Sequence, residues 1–101
     1  MRTQTTDMAA AARRVPLEKP PTQAEAAKVD RLKVEMRLRI GRNIKAARTA
    51  AGLTLRQAEV RCNVSANYLS ELERGIPDVS VSVLVQIAIG LGTTVTALIS
   101  E

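Results

Sequence analysis

Apolar residues recur every three or four positions along most of the chain after residue 21, which is the spacing of one face of an α-helix. Thr22 stands three residues before Glu25, as in a capping box, and the stretch that follows contains strong helix formers. Gly41 interrupts the pattern, although one interior glycine costs only about 1 kcal/mol and does not by itself end a helix. The pattern predicts a helical extension over 23–39 and a second helical segment over 40–51.

Four shorter helices are predicted after Gly52, which closes that segment. Ser65, Ser80 and Thr94 are suitable N-caps for three of them. The valine-rich stretch 79–85 also fits a strand, but its apolar residues belong to a 3.6-residue repeat, which favours a helix. The predicted fold class is therefore all-α, with these helices near 54–61, 65–74, 80–90 and 94–99.

Residues 1–22 have the composition of a flexible tail. Threonine, alanine and arginine are frequent there, and Pro16, Pro20 and Pro21 prevent a continuous helix. The N-terminus lacks the apolar block of a secretory signal, and no apolar run approaches the roughly 20 residues that cross a bilayer. We therefore expect a cytoplasmic protein without membrane contact, organised as a tail over 1–22, the extension over 23–39 and a domain over 40–101.

Few residues of this chain suit catalysis or metal binding. It has no histidine, which is the commonest general base and metal ligand, and its single cysteine has no partner for a disulfide. Neither a zinc site nor a Cys–His nucleophile can therefore be assembled. We expect no enzymatic activity, no metal and no cofactor.

The net charge of +5 indicates a polyanionic partner, although a basic excess also serves solubility alone. Residues 1–39 hold nine Lys and Arg against five Asp and Glu, whereas residues 40–101 hold six against five. Much of the basic character thus lies in the arm formed by residues 1–39.

The segment 65–75 reads Ser-Ala-Asn-Tyr-Leu-Ser-Glu-Leu-Glu-Arg-Gly and describes one amphipathic helix with both ends marked. A three-residue turn at 62–64 joins it to the short polar helix that begins at Thr54. Two short helices joined by so tight a turn form the unit that places its second helix in the major groove of DNA.

From Ile40 to Ile99 the chain resembles the phage-repressor type of helix-turn-helix protein, the Cro/Xre-like family of small five-helix DNA-binding domains. The resemblance implies that 54–61 is the positioning helix and that 65–74 is the recognition helix. The matching residues are Ile40, Gly41, Ile44, Arg48, Gly52, Leu53, Thr54, Val64, Ser65, Leu69, Ser70, Leu72, Glu73, Gly75, Ser80, Leu84, Ile87, Ala88, Leu91, Gly92, Leu98 and Ile99.

The resemblance supplies candidates for reading base edges. It implies that Ala66, Asn67 and Glu71 lie on the face that relatives present to DNA. Asn67 can pair with adenine N6 and N7, Glu71 can accept from a cytosine amine, and Ala66 can touch a thymine methyl group. Glu71 equally suits a solvated position or the repulsion of non-cognate phosphates. The flanking leucines already supply the core face, so Tyr68, the only aromatic residue, is expected toward the groove rather than the core.

Basic side chains are candidates for contacts to DNA phosphates, which position a protein without reading sequence. Each of them can equally be a solvated charge. Ser65 is expected to cap its helix and to bring its hydroxyl or the helix N-terminus near a phosphate. The resemblance also implies an ion pair between Arg48 and Glu73. The phosphate candidates are Arg42, Lys45, Arg56, Arg61, Ser65 and Arg74.

Departures from the family pattern bear on function. The family usually has Leu-Ala at 58–59, where this chain has Ala-Glu, so Glu59 is expected to lean outward and Val60 to fill the space. Asn63 replaces the turn glycine as the next most tolerant residue for positive φ. Asp78 opposes phosphate in a loop where many relatives carry basic residues. The expected compensating contacts come from Arg37, Arg39, Arg42 or the tail.

The predicted function is sequence-specific binding of double-stranded DNA by a transcriptional regulator. We expect a homodimer on a two-fold operator, with half-sites about one DNA turn apart. Repression is the default because the chain shows no second domain that senses a ligand or touches polymerase. The dimer contact is predicted either at the last helix, through Val95, Leu98 and Ile99, or at the apolar stripe of the 22–39 helix.

Two other functions fit the same sequence. The first is an antitoxin or adaptor whose main role is to bind a partner protein through residues 1–39. The second is a nonspecific nucleoid-type binder, which binds all duplexes with similar affinity and a steep salt dependence.

Overall fold

The computed structural model describes residues 18–101, which form five α-helices and no strand. The predicted tail over 1–22 lies mostly outside the described residues. Within the described part of the chain, no helix combines the length and apolar character needed to span a bilayer. The predicted all-α, five-helix fold is confirmed, with helices α1 (Gln23–Ala50), α2 (Leu55–Cys62), α3 (Ala66–Glu73), α4 (Val81–Leu91) and α5 (Val95–Ile99).

Local capping residues define where each helix begins. Thr22 and Thr54 each start a capping box, in which the threonine hydroxyl accepts from a backbone N–H and a side chain three residues on returns a bond. The predicted N-caps Ser65, Ser80 and Thr94 are confirmed, because each hydroxyl accepts from the N–H three residues further along. The short helices are thus bounded by their own sequence.

Helix α1 is one continuous helix of 28 residues that joins the predicted extension to the segment after it. Gly41 lies near its middle, where α1 packs tightly against the end of α3. A Cβ atom at this position would overlap the carbonyl oxygen of Leu72 and come within 2.7 Å of that of Glu73. The glycine therefore permits helix packing rather than a break in the helix.

A single hydrophobic cluster receives side chains from all five helices. Ile44 of α1, Leu69 of α3 and Ile87 of α4 are fully buried, and burial of each such side chain contributes about 1.5–3 kcal/mol. Cys62 is buried among them, as expected for a small core residue. The full cluster comprises Ile40, Ile44, Ala58, Cys62, Val64, Leu69, Leu72, Leu84, Ile87, Ala88, Leu91 and Leu98.

The N-terminal half of α1 lies outside this core. Nearly all residues from 23 to 35 are exposed, and Val29 and Leu32 each retain 46% of their accessible surface. Together with Met36, Ile40 and Val79 they line an open apolar groove beside the loop that precedes α4. An apolar stripe of this kind is unusual on a surface that faces only water.

Candidate nucleic-acid interface

Helices α2 and α3 are joined by a tight turn at residues 63–65. Asn63 adopts the left-handed conformation with φ 55°, and its N–H donates to the carbonyl oxygen of Glu59 at 2.9 Å. The predicted role of Asn63 as a substitute for the turn glycine is confirmed. Val64 then turns into the core, and Ser65 caps α3.

The α2 residues that depart from the family pattern are accommodated as follows. Ala58 is fully buried against the core, so the helices pack closely at this small residue. Glu59 leans outward, as expected, and its Oε1 accepts from the N–H of Ala66 at 2.9 Å. The expectation that Val60 fills the space is wrong, because Ala58 already occupies the core position and Val60 is 83% exposed.

The outward face of α3 is set by the burial of its opposite face. Leu69 and Leu72 anchor α3 in the core, so the helical period turns residues 67, 70, 71 and 74 away from it. Asn67 and Arg74 are exposed, while Ala66, Ser70 and Glu71 are half-buried. Ser70 is not among the candidates of the sequence analysis, although its position three residues after Asn67 places it on the same side of α3.

Tyr68 lies at the boundary between the core and the outward face. Its ring packs against the hydrophobic cluster, and its hydroxyl lies 3.4 Å from the carbonyl oxygen of Asp78. Tyr68 was expected to point toward the groove. Its side chain instead lies between the core and the loop before α4, which contains Asp78.

Arg48 and Glu73, the predicted ion pair, connect α1 to α3. The Arg48 Nε and Nη2 atoms donate to the two Glu73 carboxylate oxygens at 2.6 Å and 3.0 Å. The Arg48 Nη1 atom donates to the carbonyl oxygen of Leu53 at 2.9 Å, in the connection that leads to α2. Both side chains are nearly buried, at 13% and 7% exposure, and the hydrogen bonds to Glu73 raise the pKa of Arg48 above its usual value. The pair fixes the orientation of α3.

The predicted phosphate contacts fall into two groups. Arg42, Lys45, Arg56 and Arg74 are exposed and form no ion pair with any residue between 18 and 101. Ser65, in contrast, uses its Oγ to accept from the N–H of Tyr68 at 3.1 Å. The Arg61 Nε atom donates to the carbonyl oxygen of Gly90 at 3.1 Å, so this arginine links α2 to α4.

The acidic loop residue Asp78 is neutralised by α1. Its carboxylate lies 3.0 Å from the Arg37 guanidinium. Arg39, the other cation expected to help from this region, lies 4.0 Å from the Glu101 carboxylate. Arg37 therefore offsets the loop acid instead of being free for phosphate.

A short helix packed on the core through Ala58 and Cys62, a tight turn and a second helix with an outward polar face define a helix-turn-helix protein. The family model described as a helix-turn-helix domain matches residues 39–99, and the chain belongs to that family.

Solved structures of transcription factors have the same fold. Two crystal structures of the clp gene regulator ClgR from Corynebacterium glutamicum are 36% identical to this chain. One match covers 63% of this chain and 82% of the ClgR chain with a TM-score of 0.61, and the other covers 62% and 67% with a TM-score of 0.59. The hypothetical transcription factor NHTF from Neisseria shows the fold alone, at 20% identity over 86% of this chain and 87% of its own, with a TM-score of 0.64.

A comparison with curated proteins gives no match. The family membership and the similarity to ClgR support a DNA-binding transcriptional regulator.

Proposed function

We propose that this chain binds a specific double-stranded DNA operator as a homodimer and represses transcription by occluding the promoter. The observation that carries the proposal is the outward polar face of α3, whose other face is anchored by Leu69 and Leu72. Because this helix is already fixed in the free protein, its backbone does not have to become ordered when its polar side chains contact base edges.

Base reading is assigned to the N-terminal and central part of that face. Asn67 is exposed and pairs with adenine through its amide, while Glu71 accepts from a cytosine amine. Ala66 lies near a thymine methyl group, and Ser70 bonds to either partner of a base pair. Tyr68 lies beside these residues and packs against the core, so its main role is to support α3. Any contact that it makes with DNA is at the edge of the interface.

Contacts to the DNA backbone are assigned to exposed cations around α3. Arg56 lies in the first turn of α2, Arg74 is the C-cap of α3, and Arg42 and Lys45 lie one turn apart on α1. Contacts of this type supply affinity and salt dependence. Domains 1–22, 23–39 and 40–101 then correspond to a tail, an assembly arm and the DNA-binding unit.

The homodimer contact is placed on the N-terminal half of α1 rather than on α5. Leu98 of α5 is buried and Val95 packs against the core, so of the three α5 candidates only Ile99, at 38% exposure, remains accessible. Val29 and Leu32 remain about half exposed on α1. A second copy supplies the same stripe by two-fold symmetry, as homodimers usually do.

The exposed stripe also supports the second candidate, an adaptor that binds a partner protein through residues 1–39. Deleting residues 1–35 separates the two. If the protein is a regulator, the truncated chain should still recognise its operator, with weaker affinity. If it is an adaptor, the truncated chain should lose its partner protein, and neither form should bind a specific operator.

The proposed function is tested by sequencing genomic fragments that the purified protein retains at near-physiological salt. A two-fold motif with fixed half-site spacing is expected, and promoters of clp genes are a useful first set because ClgR is a clp gene regulator.

The variant N67A should relax the motif at one base pair in each half-site, whereas R56A should weaken binding to all sequences equally. Retention without any motif indicates the nonspecific binder, and no retention by folded protein contradicts the proposal.

A further inference from the structure

Glu59 places a carboxylate at the N-terminus of the recognition helix. It extends from α2 across the turn, and its Oε1 accepts from the N–H of Ala66, the first residue of α3, at 2.9 Å. Helix α3 has no acidic residue in its own first turn, so Glu59 supplies the negative charge that a helix N-terminus favours.

The N-terminus of a helix is otherwise a natural place for a DNA phosphate, because its first N–H groups point outward and the helix dipole attracts anions. In this chain two of those donors are already used within the protein. The Ala66 N–H donates to Glu59, and the Tyr68 N–H donates to the Oγ of Ser65 at 3.1 Å. A phosphate that approached this end would meet a carboxylate, and the N–H groups of Ala66 and Tyr68 would already be occupied.

We propose that Glu59 is a positioning and specificity-determining residue, whose carboxylate holds the α2–α3 turn and keeps DNA phosphates away from the N-terminus of α3. The inference rests on the proposed function, since it assumes that α3 faces DNA. The Glu59 carboxylate therefore affects cognate and nonspecific DNA differently. Base contacts from Asn67 and Glu71 are retained on the cognate site, while nonspecific DNA, which binds through phosphates alone, loses one favourable position.

The test uses three variants of the full chain and a random-sequence duplex as probe. Glu59→Gln keeps an acceptor oxygen for the Ala66 N–H and removes the charge. Glu59→Ala removes both the acceptor and the charge. Glu35→Gln is the matched control, because it changes net charge equally at an exposed side chain of α1 that forms no ion pair with any residue between 18 and 101.

The expected result for E59Q is an affinity for the random duplex about fivefold higher at low salt, which is the factor that one unit charge about 4 Å from a phosphate contributes in water. The slope of log K against log salt should steepen by up to about 0.9, equivalent to one additional phosphate contact. Amide exchange at Ala66 should stay as slow in E59Q as in the wild type and become faster only in E59A.

An unchanged random-duplex affinity in E59Q, or an equal rise in E35Q, overturns the inference, because the carboxylate is then only a helix cap or a contributor to net charge. The inference is also overturned if neither the wild type nor any variant binds the random duplex. Failure of the proposed function is recognised separately, by a wild-type protein that binds DNA without preferring any sequence.

Discussion

At the scale of single residues, the nearly buried ion pair between Arg48 and Glu73 fixes how the recognition helix is held. The guanidinium uses three of its donor groups on two carboxylate oxygens and the carbonyl oxygen of Leu53. A guanidinium so occupied has little left to offer a phosphate, and its role is structural.

Replacing Glu73 with leucine should destabilise the protein by about 3 kcal/mol, because Arg48 then remains nearly buried without its partner. Urea unfolding followed by circular dichroism measures this change. The double variant R48M/E73L is the control and should recover most of the loss, since neither charge is then stranded. A loss in E73L below about 1 kcal/mol would show that solvent screens the pair as on an ordinary surface.

The buried thiol of Cys62 gives the protein a predictable pH dependence. Burial raises the pKa of Cys62 above its ordinary value of 9.0, and the nearby Arg61 partly opposes this effect. The unfolded chain therefore loses the thiol proton at lower pH than the folded chain, so stability falls as pH rises above the ordinary value.

We expect the free energy of unfolding of the wild type to decrease between about pH 9 and pH 11 relative to that of C62A. Urea titrations at each pH measure the free energy of unfolding of both proteins. Taking the difference between wild type and C62A removes the contribution of other groups that titrate in this range. A constant difference across the range would mean that the thiol is not protected by burial in solution.

At the scale of helices, the position where α1 meets α3 determines the shape of the domain. Gly41 allows the two helices to touch because its missing Cβ leaves room for the carbonyl oxygens of Leu72 and Glu73. The usual helix preference for alanine over glycine, about 1 kcal/mol, acts against this choice. Close packing of the two helices outweighs that preference.

The variant G41A should therefore lower the free energy of unfolding by about 1–3 kcal/mol, although alanine is the better helix former. Ala46, which is exposed on the same helix, provides the control, since A46G should also destabilise, by about 1 kcal/mol. Thermal unfolding of both variants measures the two effects. A G41A protein more stable than the wild type would contradict the close approach of α1 and α3.

The helices were predictable from the sequence where their determinants are local. The caps at Ser65, Ser80 and Thr94 depend on one side chain and a backbone N–H three residues away. The role of Gly41 was not predictable in the same way, because it depends on the carbonyl groups of another helix. The contact of Glu59 with Ala66 likewise depends on how α2 and α3 are placed around the turn.

The site was predictable in part, for the same reason. The outward positions of Asn67 and Arg74 follow from the apolar residues of α3, and the same helical period would have included Ser70. The packing of Tyr68 instead depends on the course of the loop before α4, which no local pattern specifies.

At the scale of the whole molecule, the N-terminal half of α1 extends from the packed domain and carries an exposed apolar stripe. Because most helical stability in proteins comes from packing of an apolar face, a partner that covers this stripe would stabilise the N-terminal half of α1. A second copy provides that cover in the proposed dimer.

The variant L32E should dissociate the proposed dimer, with a dissociation constant raised at least about 100-fold, because two leucine contacts are lost and two charges are introduced by symmetry. Sedimentation equilibrium measures this change. The control is V81E, which places the same charge on α4 at a side chain that is 74% exposed. An L32E protein that remains dimeric assigns the contact to another surface, and a monomeric wild type contradicts the homodimer.

In the proposed dimer, the continuity of α1 through Gly41 has a consequence for the phasing of the two operator half-sites. With no hinge in this helix, the rotational position of the stripe around Leu32 is locked to that of the recognition helix. One residue inserted near Val34 would turn the stripe by about 100° and shift it by about 1.5 Å, whereas seven inserted residues would return it to within about 20°. Preferred half-site spacing should thus respond periodically to the length of the arm.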